Sequence, residues 1–115
     1  MIRNRVTTLL LLLTLLAATT SAGAAAPAVT AGRLVTVEGF ESAFVTARDI
    51  HVWLPPGYSE EQRYAVLYMH DGDSLWDAAT TWNGQEWGVD EAVSKLLEEA
   101  AIRDVIVVGI PNAGS

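Results

Sequence analysis

His51-Val52-Trp53-Leu54-Pro55-Pro56-Gly57-Tyr58 and, past a short charged stretch, Tyr64-Ala65-Val66-Leu67-Tyr68-Met69-His70-Asp71-Gly72-Asp73-Ser74-Leu75-Trp76-Asp77 decide the fold. The first part closes a strand. Ile50, Val52 and Leu54 alternate with His51 and Trp53, the two-residue period of a pleated chain. On this alternation His51 faces solvent. Pro55-Pro56-Gly57 ends the strand, because proline cannot donate to a ladder and glycine permits a turn. Residues 64–69 are a continuous apolar run, the pattern of a parallel strand buried on both faces. A polar loop follows at its carboxyl end, and open α/β sheets bind ligands outside those ends.

Working outward, Leu34, Val35 and Val37 mark a first strand over residues 33–40. Residues 87–102 read as a helix. Val89, Val93, Leu96, Leu97 and Ala100 recur at the helical period and form one apolar face. Asp90 and Glu91 lie in its first turn, where the helix dipole favours acids, and Glu91 with Lys95 makes an exposed i, i+4 pair. Residues 105–110 are a second continuous apolar run. The order strand, helix, strand predicts a right-handed parallel crossover. Two such strands need neighbours and covering helices, yet only one long helix is present. The chain is therefore expected to be the N-terminal part of a larger sheet, which usually needs ~200 residues or more.

The start of the chain has another character. Arg3 and Arg5 precede an apolar stretch over residues 6–18, and Ala22-Gly23-Ala24 follows as a small-residue cleavage site. The stretch is shorter than the ~20 residues that span a bilayer. The layout predicts a Sec-type signal peptide over 1–24, a flexible leader over 25–33, and a domain from 34 onward. The protein is then secreted or periplasmic, with no stable membrane anchor after cleavage. The chain has no cysteine, which excludes a cysteine-linked lipid anchor and any disulfide. Its net charge is −7, and loss of Arg3 and Arg5 makes it more negative. Such a chain is unsuited to nucleic acid or anionic lipid.

In order and spacing, several segments resemble one esterase family, which includes enterochelin esterases, feruloyl esterases and mycobacterial mycolyltransferases. These are Leu54-Pro55-Pro56-Gly57-Tyr58, Val66 to Gly72, Trp82 to Val89, and Val107-Val108-Gly109-Ile110 with Asn112. The resemblance implies an α/β-hydrolase fold and a Ser-Asp/Glu-His triad that acts on carboxylic esters without cofactor or metal. All three triad residues are expected beyond Ser115, so residues 25–115 alone are expected to be inactive. It also implies a small-molecule or glycan-linked ester as substrate.

The same resemblance assigns the loop His70, Asp71 and Gly72 to one side of an oxyanion hole, with the backbone N–H of Asp73 as donor. Gly72, lacking a Cβ, would let substrate approach the backbone. Members of the family often read Asp-Gly-Gln-Asn-Leu-Phe-Asp, where this chain has Asp71-Gly72-Asp73-Ser74-Leu75-Trp76-Asp77. A carboxylate at position 73 opposes an oxyanion unless it points away or is paired. Trp76 and Trp82 are candidate substrate contacts, and Trp87 and Trp53 are read as packing residues.

His70 has no nucleophile partner in the chain and is read as orienting the loop rather than as a base. Ser74 follows Gly72-Asp73, but Trp76 replaces the final glycine of a nucleophile elbow. Two further functions stay open. One is a non-catalytic glycan-binding protein on the same fold. The other is a haloacid-dehalogenase-type phosphohydrolase using Asp71-x-Asp73, although the threonine usual after that pair is missing. A calcium loop through Asp71, Asp73 and Asp77 fails, because Leu75 and Trp76 stand at the positions that need a ligand and a glycine.

Overall fold

The computed structural model describes residues 25–113. The expected signal peptide, its expected cleavage site and Ser115 lie outside them. Four strands form one mixed sheet in the order β1-β2-β4-β3. β1 is Arg33–Phe40, β2 is Arg48–Leu54, β3 is Ala65–His70 and β4 is Val105–Ile110. β1 and β2 run antiparallel, as do β2 and β4, whereas β3 and β4 are parallel. Between β3 and β4 the chain makes two single 3₁₀ turns and the helix α1, Val89–Glu98. The expected parallel crossover is thus present. The helix is shorter than its apolar period predicts. It begins after Gly88, which is left-handed at φ 60°, and ends before Ala100, at φ 53°.

Strand register sorts the side chains. Trp53 pairs with Val107 and His51 with Gly109, so these four positions share one face. That face carries the core: Trp53, Val107, Leu75, Trp76, Val89 and Val93 are all buried, with Leu34, Met69 and Val105 packed at its margin. The expectation that His51 faces solvent is therefore reversed. His51 is buried, on the side of β2 where Trp53 packs with Leu75, Trp76 and the α1 residues Val89 and Val93. A one-residue change of parity exchanges the two faces of a strand completely.

Three further expectations change. β3 does not bury both faces here: Val66, Leu67 and Tyr68 are 46%, 44% and 68% exposed, since β3 is an outer strand of the described sheet. Lys95 pairs with Glu99 rather than Glu91. Asp90, expected on the first turn as a dipole partner, is wholly buried. Its Oδ2 accepts the N–H groups of Thr30 and Ala31 and the Thr30 hydroxyl. The segment expected as a flexible leader is thereby hydrogen-bonded to α1, and Trp53 Nε1 also donates to the Ala31 carbonyl at 2.8 Å. Gly32 turns the chain from this segment into β1 at φ +71°. A Cβ there would lie 2.5 Å from the Leu54 carbonyl oxygen, so only glycine fits.

Candidate functional site

The loop after β3 is held from below. Asp71 adopts the left-handed conformation, φ 56° and ψ 42°, which an Asp side chain tolerates better than most. Its carbonyl accepts the Ser74 N–H at 2.8 Å, closing the turn, and Asn112 Nδ2 donates to its carboxylate at 3.4 Å. Gly72 is buried directly on the end of β4. A Cβ built on it meets Pro111 N at 2.7 Å and the carbonyl carbons of Gly109 and Ile110 at 2.8 Å. The sequence reading assigned this glycine to substrate approach. The geometry assigns it to backbone packing, since the space a Cβ would need is filled by β4. Leu75 and Trp76 then plug the core, packed over Gly109.

This arrangement fixes the direction of the next residue. The N–H of Asp73 has no hydrogen-bond acceptor among the described residues. Asp73 itself is exposed and lines a cleft of about 300 Å³ with Asp71, Ser74, Thr80, Trp82 and Asn112. The site residues named from the sequence thus separate into three groups. Asp71, Asp73 and Trp82 meet at this cleft. His70, at the end of β3, lines an adjoining apolar hollow of about 360 Å³ with Phe40, Val45, Arg48 and Pro111. Trp76, expected as a substrate contact, is 1% exposed and belongs to the core. The large aromatic ring supplies the volume that seats the loop on β4. Trp82, by contrast, is 92% exposed, and Trp87 is more exposed than its expected packing role requires, at 57%.

A second cleft adjoins the first. It measures about 660 Å³ and includes Thr36, His51, Asp73 and Asp77 in its lining. His51 Nδ1 and Thr36 Oγ1 are 3.1 Å apart. Burial lowers the His51 pKa below the ordinary histidine value, against the opposing fields of Asp73 and Asp49. Asp77 accepts the N–H groups of Ala28 and Ala79, and these bonds hold its carboxyl below the ordinary range. Sequence reasoning missed this cleft. Its signals were faint: a histidine in an apolar strand and a threonine opposite it. Trp76 Nε1, Asp90 Oδ1 and Ser94 Oγ are buried without hydrogen-bond partners among the described residues.

The Esterase family, described as "Putative esterase", matches residues 42–115. Among solved structures, the chain is similar to a mutant feruloyl esterase module from Clostridium thermocellum complexed with sinapinate. The TM-score is 0.54 at 23% identity, covering 78% of this chain and 31% of that one. It is also similar to a ferulic acid esterase from Anaeromyces mucronatus in complex with ferulic acid, with a TM-score of 0.52 at 22% identity, covering 76% and 31%. The chain thus spans about a third of the length of these structures. At such identities the likeness carries the fold, and the family match carries the membership: this chain belongs to the esterase family of α/β-hydrolases.

Proposed function

We propose that the chain supplies the oxyanion side of an exported carboxylic-ester hydrolase that works through a serine-bound acyl intermediate. The observation that carries this reading is the Asp73 N–H, unbonded among the described residues and held at the sheet's carboxyl edge by the buried Gly72. When a nucleophile adds to an ester carbonyl, negative charge grows on the oxygen. A donor already aimed there stabilises that charge without reorganising. A second N–H comes from the residue after the nucleophile. A triad histidine takes the serine proton and returns it to the leaving alcohol, while an acid orients the histidine. No Gly-x-Ser-x-Gly occurs in these 115 residues, so serine, histidine and acid are assigned to sequence outside them.

The substrate proposed is an aryl ester of the feruloyl class. Trp82 offers an exposed face beside the Asp73 cleft for an aromatic acyl group. The export reading rests on Arg3, Arg5, the apolar stretch and Ala22-Gly23-Ala24. The full-length protein should hydrolyse methyl ferulate, and an organophosphonate should label one serine outside residues 1–115. Secreted material should begin at Ala25 on N-terminal sequencing. Absence of turnover and labelling, with binding to feruloylated xylan retained, refutes the esterase and favours the glycan-binding alternative, for which the exposed Trp82 also speaks.

A further inference from the structure

Among the described residues, the segment ahead of β1 is fastened at several points. Ala28 N–H donates to Asp77 Oδ2 at 2.9 Å, and Thr30 N–H donates to Asp90 Oδ2 at 2.8 Å. The Thr30 hydroxyl adds a bond to Glu91 at 2.8 Å. Pro27 is buried and Val29 packs against the core. Residues 25–27 line the 660 Å³ cleft together with Glu38, Arg48, Asp49, His51, Asp73 and Asp77. Four carboxylates there face one guanidinium, and Arg48 directs its N–H groups to the carbonyls of Thr46 and Pro111. Asp49 accepts the Gly39 N–H, and Asp77 accepts two backbone N–H groups. The carboxylates of Glu38 and Asp73 accept no hydrogen bond among the described residues, and of these two Asp73 is the one that also lines the smaller cleft with Asp71, Ser74 and Trp82; its carbonyl accepts from Thr80.

A group of acids alone assigns no ligand. Here the ligand is part of the chain and already lies in the cleft wall. Hydrolysis of the Ala24–Ala25 amide by a signal peptidase breaks the C–N bond and adds one water. The hydroxyl goes to the Ala24 carbonyl carbon, which leaves as a carboxylate, and the protons go to the Ala25 nitrogen, which becomes an ammonium. Ala28 is fixed by its bond to Asp77, and three residues reach at most about 11 Å, so the new charge lies within that distance of Ala28, on a residue that lines the cleft.

We propose that leader removal is a maturation switch, in which the α-ammonium made at Ala25 pairs with the Asp73 carboxylate and cancels the negative charge beside the oxyanion donor. The inference rests on the export reading, with cleavage after Ala24. In the uncleaved chain the same nitrogen is a neutral amide, and the Asp73 charge opposes the growing oxyanion. Burial lowers the His51 pKa below its ordinary value, which makes it a poor alternative cation near pH 7. This accounts for an aspartate tolerated at a position where an oxyanion hole is ill served by one.

The test uses the full-length protein in two forms, one beginning at Ala25 and one with a Gly-Ser extension before it. The α-amine is dimethylated with ¹³C-formaldehyde, which keeps its charge, and titrated by NMR. In the mature form it should titrate about one pH unit above its value in Asp73→Asn, in a range whose ordinary value is ~7.7–8.0. The extension should lower kcat on methyl ferulate roughly tenfold with little change in KM or Tm, and Asp73→Asn should restore most of that loss in the extended form. An amine that titrates alike with and without the Asp73 carboxylate overturns the proposal, as does an extended protein that turns over as fast as the mature one. A secreted chain that begins elsewhere overturns the export reading and this one with it. If the protein begins at Ala25 but hydrolyses no ester, the esterase reading alone fails, and the amine titration still decides the pairing.

Discussion

Val107 and Val108 are neighbours on β4 and chemically identical, yet they occupy different worlds. Val107 is fully buried against Trp53, Leu75 and α1. Val108 lies on the opposite face, with Val35, Ile50, Val52 and Ile106, none of which is fully buried. Both faces are apolar in sequence; one is covered. The pattern of a strand records the surroundings for which it is suited, whereas burial records the surroundings that residues 25–113 provide. The apolar second face and the exposed β3 edge are the two places where these records part, and both fit a chain that spans about a third of its solved relatives.

Substitution can sharpen this contrast, beginning where backbone rather than side chain fills the space. Gly72→Val should cost ~3 kcal/mol or more in the 115-residue chain, because its new atoms meet β4 main chain that cannot step aside. A variant that melts with the unsubstituted chain in denaturant would show that the loop lifts freely from β4. Next, Val107→Ala should cost ~2 kcal/mol from lost transfer energy and a residual cavity, while Val108→Ala should cost less than ~1 kcal/mol. Equal losses in chemical denaturation would mean that the second face is covered after all, for instance by self-association.

A smaller effect comes from protons on the covered face. The folded pKa of His51 lies below the unfolded ~6.5. Between those two values the unfolded chain binds more protons, so stability should rise with pH through that window and level off above about 6.5. Thermal melts from pH 5 to 8 should show this slope, and His51→Gln should flatten it. An unchanged slope in that variant would assign it to another group. Least of all on stability should be Tyr68→Lys, on the uncovered face of the outer strand. It should leave Tm almost unmoved while reducing light scattering at high concentration, since a charge on an edge strand discourages pairing between chains.

Much of the fold was legible because its signals are local. β1 and β4 were read to the residue, and the Pro55-Pro56-Gly57 stop and the crossover through α1 were both foreseen. What eluded the sequence is what depends on which face is covered. His51 and Trp53 alternate with Ile50 and Val52, and no local rule says which pair lies on the core side. Burial of Asp90 depends on Thr30 and Ala31, some 60 residues away in sequence, whose N–H groups replace the water a carboxylate would otherwise keep. Trp76 and Trp82 look alike as loop tryptophans. Only the seat over Gly109 makes the first a core residue and leaves the second at the cleft.

The loop from Asp71 to Asp77 bears on how this protein can drift over generations. Set against the family reading it resembles, Asp-Gly-Gln-Asn-Leu-Phe-Asp, the chain keeps residues 71, 72, 75 and 77 and changes 73, 74 and 76. The retained positions are those the architecture leaves no alternative for: a left-handed turn, a glycine pressed on main chain, a wholly buried leucine, and a carboxylate that holds two backbone N–H groups. The changed positions are an exposed residue, a half-exposed one, and one aromatic exchanged for another inside the core. The main chain of this turn is thus locked while its outward side chains at 73 and 74 are free to change, and the Asp73 N–H proposed as a donor keeps its place through such changes.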